Sequence, residues 1–276
     1  MKLTLQFKIF LYVAITGIVF ILLFPFFAAL STALKDVTEV YTSPPRWIPK
    51  RIAWENFQHI WAKYPLAQYF INSLIVASGA TILTTILCVP AAYACARLRF
   101  TGRKTILFAM LVIQMFSPII VVIAVYKVVI ALGLIDTRTS LIIVNAVFTL
   151  AFAIWMMNGY FSTIPKEVEE AAWIDGCTRF QTMTRITLPI AMPGVVTVVI
   201  YTFITAWNEF MFALTFMTST EKRPLTVGLY NFIGRWQVSW QYLMAAALLA
   251  IIPVVILFML IEKQLVHGLA GGAVKG

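Results

Sequence analysis

Long stretches without a charged side chain dominate this chain of 276 residues. Six intervals of at least 22 residues contain no Asp, Glu, Lys or Arg, and a helix needs about 20 apolar residues to cross a bilayer. The pattern therefore predicts an all-α polytopic membrane protein with six transmembrane helices, folded as a single transmembrane domain over residues 1–276. The predicted helices lie near residues 9–31, 70–96, 105–127, 140–162, 191–217 and 242–262.

Composition supports a lipid environment. Hydrophobic residues make up 61% of the chain and charged residues only 12%, which is too little polar surface to coat a soluble globule of this length. Pro90, Pro118 and Pro253 fall inside predicted helices, a placement that membrane bundles tolerate. The first apolar run is longer than the core of a signal peptide, so we expect a retained helix rather than a cleaved leader.

The densest group of positive charges predicts the orientation. Four basic residues lie within eight positions between the second and third predicted helices, and such residues favour the cytoplasmic side of a membrane. We therefore expect both termini in the cytoplasm. The four residues are Arg97, Arg99, Arg103 and Lys104.

Several classes of function lack the residues that they require. The net charge of +10 is scattered between apolar runs, so we expect no nucleic-acid partner. The three cysteines are odd in number and predict no disulfide framework, while His59 and His267 lie too far apart to suggest a metal site. The dipeptide Gly-Lys of an ATP-binding loop does not occur, nor does a nucleophile elbow. We expect no catalytic residue and no metal in this chain.

The connection over residues 163–190 is long enough to have structure of its own. Ser162 or Thr163 can cap a helix with Pro165 in its first turn, and Gly176 can end that helix in a left-handed conformation. Acidic residues occupy the positive end of its dipole. They are Glu167, Glu169 and Glu170.

A second short helix is predicted after the glycine. Thr178 and Gln181 have the spacing of a capping box, and Pro189 marks the far end of the helix. The small residues Ala171 and Ala172 would let another backbone approach the first helix. The unit could dock into a groove of a partner protein, or it could be an amphipathic hairpin that only connects two spans.

The same connection resembles the EAA loop of binding-protein-dependent ABC importer permeases, which precedes the penultimate helix. The resemblance implies a MetI-like permease core in the bacterial plasma (inner) membrane. It also implies that the loop couples the bundle to a cytoplasmic ATPase, with Glu170 facing a basic residue of that subunit and Gly176 setting the angle between the two helices. Asp175 and Glu167 belong to the same predicted coupling surface. The matching residues are Glu170, Ala171, Ala172, Gly176, Ile186, Leu188 and Pro189.

The rest of the chain is similar to the carbohydrate-uptake branch of this family, of the maltose-G type, through the segment 206–210 and the glycine-rich end of the tail 263–276. This resemblance implies import of a sugar, with a di- or oligosaccharide expected. The partners that it implies are a cytoplasmic ATPase dimer, a second and different permease, an extracytoplasmic solute-binding protein and membrane lipid. ATP and magnesium would be bound by the ATPase and not by this chain. Two alternatives are an ion-coupled secondary carrier and an importer of a non-sugar solute such as a glycerophosphate.

Two further groups of residues each have more than one predicted role. Asn208 and Glu209 lie late in the fifth apolar segment, where an ionised group is costly. They predict either a pathway or permease contact, or a structural hydrogen bond between helices, or a residue already at the membrane interface. Aromatic residues near Arg235 predict either a contact with the binding protein or an interfacial aromatic belt. These aromatic residues are Tyr230, Phe232, Trp236 and Trp240.

Overall fold

The computed structural model describes residues 4–234 and 237–273, with side chains up to residue 262. Within these ranges the chain is helical, and its strand-like pairing is an isolated bridge between Ile233 and Val238. The chain divides into two compact units. Unit 1 is Met1–Leu66 with Gly228–Ile252, and unit 2 is Ala67–Val227 with Pro253–Gly276. A single transmembrane domain over the whole chain stays a prediction.

Unit 1 contains one long apolar helix. Helix α1 spans Leu5–Ala33, followed by α2 at Val37–Val40 and α3 at Glu55–Lys63. Most side chains of α1 are exposed around its whole circumference, as expected of a helix surrounded by lipid or by another apolar chain. The buried amide of Asn56 donates to the carbonyls of residues 33 and 35 at 2.7 and 2.9 Å. These bonds fasten α3 to the end of α1.

Unit 2 contains most of the remaining helices. Its helices pack around two apolar clusters, one near each end of the long helix α7. Gly194 permits a close approach there, because a Cβ on it would lie 2.5 Å from the ring of Tyr160. The elements are α4 (Leu66–Arg97), α5 (Arg103–Gln114), α6 (Pro118–Ala131), α7 (Arg138–Thr163), α8 (Lys166–Ile174), α9 (Arg179–Thr182), a π-helical turn (Met183–Thr187), α10 (Leu188–Ile190), α11 (Met192–Trp207), α12 (Met211–Phe216), a 3₁₀ turn (Thr220–Lys222), α13 (Leu225–Tyr230) and α14 (Trp240–Ala273), of which α4, α13 and α14 have residues in both units.

Four of the six predicted spans are continuous helices in the structure. They are α1, α4, α7 and the part of α14 up to Glu262. Pro90 and Pro253 lie inside α4 and α14 as predicted. The total reaches six only when each of two bent helix pairs is counted as one span.

The two bent pairs correct the predicted boundaries. The predicted helix 105–127 breaks into α5 and α6 with a bend of 100°. Pro118 causes no kink inside a helix but begins α6, since proline lacks the N–H that a helix interior needs. The predicted helix 191–217 ends at Trp207 and resumes as α12, and α11 is bent by 79° from the short helices before it.

Candidate functional site

The predicted coupling loop begins with helix α8. The expected caps, Ser162 and Thr163, instead donate their hydroxyls to the carbonyls of Asn158 and Tyr160 in the last turn of α7, at 2.7 and 2.8 Å. The prediction that one of them caps α8 was therefore wrong. Pro165 is the N-cap residue, and Glu167 and Glu169 lie in the first turn, where the helix dipole favours negative charge.

Gly176 ends α8 as predicted. Its φ is +86°, a left-handed conformation that costs glycine little. The N–H of Cys177 donates to the carbonyl of Ala172 at 2.9 Å, and the N–H of Gly176 donates to Trp173 at 3.1 Å. These two bonds form a Schellman motif. The chain therefore reverses sharply after α8 while the carbonyls of Ala172 and Trp173 stay paired.

The second short helix begins with the predicted capping box. The N–H of Gln181 donates to the hydroxyl oxygen of Thr178 at 3.3 Å, and the N–H of Thr178 donates to Oε1 of Gln181 at 2.9 Å. The helix continues through the π-helical turn into α10. Pro189 lies in α10 just before the helical segment stops at Ile190, so the prediction placed this end correctly.

A buried ion pair joins α8 to the end of α4, and the sequence interpretation missed it. Arg97 Nε lies 2.7 Å from Glu169 Oε1, with 7% and 2% of the two side chains exposed. Glu169 Oε1 also accepts a bond from the Thr187 hydroxyl at 3.1 Å, and Glu169 Oε2 accepts one from Tyr93 at 3.1 Å. Arg97 Nη2 donates to the carbonyl of Ile164 at 2.8 Å. We call these five residues the α4–loop hub.

The hub satisfies both buried charges, which is the condition under which such a pair is tolerated. The spacing of residues in α8 gives a partial cue to the buried carboxylate, but not to its partner. Glu169 lies three residues before Ala172, so the two share one face of α8, and both are buried. A carboxylate on the buried face of a helix requires a cation, and Arg97 ends a neighbouring apolar segment.

The opposite face of α8 is open. Glu167, Glu170, Ala171 and Asp175 are exposed. Two large apolar side chains are exposed beside them, Ile174 by 87% and Trp173 by 41%. After the turn, Phe180 is 70% exposed. Exposed apolar groups rimmed by charge are typical of a protein-binding surface. We call Glu170, Trp173, Ile174 and Phe180 the α8 face.

The remaining loop residues lie on the inner side or at its margin. Ala172 is buried, and Leu188 packs on the apolar cluster formed by α4, α7 and α11. Ile186 is half-buried and Pro189 is exposed. The structure thus places the predicted coupling residues close together. Some of them are exposed, and others are buried or pack on the apolar cluster.

Asn208 and Glu209 lie at the break between α11 and α12. Glu209 accepts bonds from the N–H groups of Phe212 at 2.7 Å and Ala213 at 3.0 Å, and Asn208 donates to the carbonyl of Ile204 at 3.0 Å. The Glu209 bonds satisfy N–H groups at the start of α12 that the break leaves without a helical partner, whereas the carbonyl of Ile204 also accepts the backbone N–H of Asn208. The Glu209 bonds explain the break structurally, and a pathway role for the two residues stays a prediction.

The predicted binding-protein residues differ in exposure. Tyr230 and Trp240 are exposed by 52% and 41%. Phe232 is buried and packs on Tyr64, with ring centroids 4.4 Å apart. Arg235 and Trp236 lie outside the described residues, as do the side chains of the tail 263–276. Among the described residues no group of three His, Cys, Asp or Glu side chains could hold a metal.

Comparisons with known proteins agree with this architecture. Residues 88–270 match the family described as the binding-protein-dependent transport system inner membrane component. The inner membrane ABC transporter permease protein YcjP of Escherichia coli is 40% identical over 93% of this chain and 92% of its own. The trehalose/maltose transport system permease protein MalG of Thermococcus litoralis is 36% identical over 93% and 92%.

A solved structure shows the same fold. A chain of a bacterial ABC transporter involved in the import of the acidic polysaccharide alginate superposes with a TM-score of 0.80 at 23% identity, covering 95% of this chain and 99% of that one. The match to the family extends from the end of α4 through the coupling loop and into α14. The chain is therefore a multi-pass membrane protein that belongs to the family of inner membrane components of binding-protein-dependent transport systems.

Proposed function

We propose that this chain is a permease subunit of an ATP-driven importer and that it forms the translocation pathway for a sugar together with a second, different permease. Its relatives support the substrate class. One is named for trehalose and maltose, one for sulfoquinovosyl glycerol, and one for melibiose, raffinose and stachyose. A di- or oligosaccharide delivered by an extracytoplasmic binding protein fits these names.

In this proposal the chain itself catalyses no reaction. ATP and magnesium bind to a cytoplasmic ATPase dimer, and the coupling loop faces that dimer. The loop then lies on the cytoplasmic side, and so do both termini, in agreement with the basic connection between α4 and α5.

The proposal rests on one observation: the two faces of α8 differ in exposure and in contacts. Its exposed face presents an apolar surface with an acidic rim to a partner, while its inner face is fixed to α4 through Glu169 and Arg97. A helix built in this way can receive a displacement on one side and pass it on from the other. A hairpin that only connected two spans would require neither the exposed Ile174 nor the buried charge pair.

The mechanism follows from these contacts. Movement of the ATPase displaces α8 and the short helix after it. Glu169 moves with α8, and its bonds to Arg97 and Tyr93 pull on the end of α4. Met183, Ala191 and Leu188 pack in the same apolar cluster as α7 and α11. Because packed helices move as rigid bodies between discrete arrangements, ATPase movement selects between two packings of the helices around the pathway.

Substitution of the α8 face tests the coupling role. We expect Ile174→Asp to reduce recovery of the ATPase when the tagged chain is purified from membranes, because it places a charge at the centre of the apolar surface. Ile48→Asp is the matched control, since Ile48 is 78% exposed in unit 1. Equal ATPase recovery with both variants would contradict the docking role.

Reconstitution tests the transport role and the substrate class. The chain is purified with its partners, placed in proteoliposomes and assayed for uptake of oligosaccharides with candidate binding proteins. We expect uptake only with ATP and binding protein present. Uptake by the isolated chain driven by an ion gradient would instead support a secondary carrier, and uptake of glycerophosphates alone would overturn the sugar assignment.

A further inference from the structure

A strongly basic groove lies where α4 ends and the coupling loop turns back. One cavity of about 710 Å³ is lined by Ala94, Leu98, Phe100 and three arginines, which are Arg97, Arg99 and Arg179. A second cavity of about 600 Å³ adjoins it through Arg99 and Phe100 and adds Arg103 and Lys104. Neither lining contains an acidic residue. We call the two cavities together the basic groove.

Most cations of the groove have no counter-ion in the protein. Arg97 is neutralised by Glu169. The ion pairs between described residues do not involve the other four cations, and the guanidinium of Arg179 lies 5.7 Å from the ring centre of Trp173. Four positive charges therefore surround one cavity system without compensation, an arrangement that favours an anionic ligand. The four are Arg99, Arg103, Lys104 and Arg179.

The position of the groove identifies the kind of anion. α4 is an apolar helix of membrane-spanning length that ends at Arg97, and α5 begins at Arg103, so we expect the groove to open at the level of the lipid headgroups. Leu98 and Phe100 add apolar surface beside the arginines. A phospholipid presents the same sequence of groups, with a phosphate next to acyl chains, and arginine binds phosphate oxygens through two parallel N–H groups.

We propose that the basic groove binds the phosphate of an anionic phospholipid, and that the bound headgroup bridges Arg99 in the α4–α5 connection and Arg179 at the start of α9. The headgroup then joins the coupling loop to the neighbouring α4–α5 connection. Binding rests on the groove alone. Only an effect of this lipid on ATP hydrolysis depends on the proposed transport function.

Native mass spectrometry of the assembled transporter tests the site. The complex is extracted from bilayers of phosphatidylcholine with increasing phosphatidylglycerol, and retained lipid is counted. We expect one tightly retained phosphatidylglycerol per copy of this chain, with affinity reduced about fivefold in Arg99→Gln and further when Arg179→Gln is added. Arg99→Lys, which keeps the charge for membrane insertion but loses the planar fork, should give an intermediate affinity.

Lys8→Gln is the control, because it removes one exposed cation at the start of α1 and leaves the groove intact. Equal lipid retention in the wild type and in Arg99→Gln would overturn the proposal, as would an equal loss in Lys8→Gln. Displacement of the lipid by millimolar soluble glycerol phosphate would show a site for a free phosphate compound instead. Loss of the ATPase from Arg99→Gln with lipid retention unchanged would show that a protein covers the groove.

Discussion

A carboxylate lies just beyond each end of α7, and the two carboxylates are bound in different ways. Beyond its final residue, Glu169 bonds to three side chains, one of them the guanidinium of Arg97. Before its first residue, Asp136 accepts bonds from the N–H groups of Thr218 and Ser219 at 3.1 and 3.0 Å. Lys222 Nζ lies 3.1 Å from the second oxygen of Asp136. We call the second group the α6–α7 turn.

Exposure separates the two sites further. The charged side chains at the α4–loop hub are 7% and 2% exposed, whereas Lys222 and Asp136 are 43% and 21% exposed. A fully buried charge has no water to replace a lost partner, so removal of one member of the hub leaves the other uncompensated. At the α6–α7 turn, Asp136 is held by backbone N–H groups as well as by the side chains of Ser219 and Lys222, and water can reach it. Under the proposed coupling mechanism, we therefore expect movement to pass through the α4–loop hub and not through the α6–α7 turn.

The largest loss of stability is expected when the buried carboxylate is removed. Glu169→Ala should destabilise the folded protein by about 3 to 5 kcal/mol, because Arg97 is left buried without a counter-ion. The temperature of thermal unfolding in detergent measures this effect. Glu170→Ala removes the adjacent, exposed carboxylate and should leave the unfolding temperature unchanged. An equal loss in both variants would mean that Glu169 is not buried in an ion pair.

Removal of the charge at the α6–α7 turn should have a smaller effect. Asp136→Asn keeps one oxygen for the backbone N–H groups but loses the ionic bond to Lys222, which predicts a loss of about 1.5 to 3 kcal/mol. The same unfolding assay checks this, and ATP-driven uptake should be retained in proportion to the amount of folded protein. Complete loss of uptake in a stable variant would show that this end also transmits movement.

Acid should act on the same carboxylate. Partial burial by itself raises the pKa of Asp136, but the bonds from Ser219 and Lys222 outweigh it and hold this pKa well below its usual range. The carboxylate therefore stabilises the folded state above its unfolded pKa of about 4, and the contribution is lost as the pH falls further towards the folded pKa. The gap in unfolding temperature between wild type and Asp136→Asn should narrow between pH 5 and pH 3. A constant gap would contradict the assignment.

A smaller loss of stability is expected from substitutions in the turn after α8. A side chain at Gly176 would meet no atom within 4 Å, so Gly176→Ala should cost about 1 to 2 kcal/mol through the left-handed backbone alone. Gly176→Asn should cost less, because asparagine tolerates this conformation better. Thermal unfolding measures both. A larger loss in the asparagine variant would show that side-chain size matters and not the backbone.

The smallest effect is expected from an exposed ion pair in unit 1. Arg51 and Glu55 are 67% and 42% exposed, and such a pair contributes about 0.5 kcal/mol or less. Arg51→Gln should therefore leave the unfolding temperature almost unchanged, in contrast to the buried pair. A loss of stability as large as that of Glu169→Ala would contradict the claim that burial determines how much an ion pair contributes.

Local patterns in the sequence predicted much of the loop. The capping box of Thr178 with Gln181 and the left-handed Gly176 depend only on near neighbours in the chain, and both were found. The breaks at Pro118 and Asn208 were missed, because apolar composition shows where a chain can cross a membrane and not whether the helix is continuous. The polar pair Asn208 and Glu209 was the available cue, since the Glu209 carboxylate bonds to N–H groups that the break frees at the start of α12.

The α4–loop hub was beyond local inference. Glu169 and Arg97 are 72 residues apart, and their pairing depends on how α8 lies against α4, which no short-range pattern encodes. The sequence interpretation assigned outward roles to the acidic residues beside Glu169 and treated Arg97 as a charge that sets orientation. Burial distinguishes Glu169 from Glu170, although the two are adjacent.

The stoichiometry of coupling tests most directly the claim that the Glu169–Arg97 pair transmits ATPase movement to α4. Sugar uptake and ATP hydrolysis are measured together in proteoliposomes that contain the assembled transporter, with wild-type chain or with Glu169→Gln, which keeps the side-chain size and loses the charge. We predict that the ATPase still co-purifies and hydrolyses ATP while uptake per ATP falls roughly tenfold. An unchanged ratio of uptake to hydrolysis in a folded Glu169→Gln transporter would contradict the account.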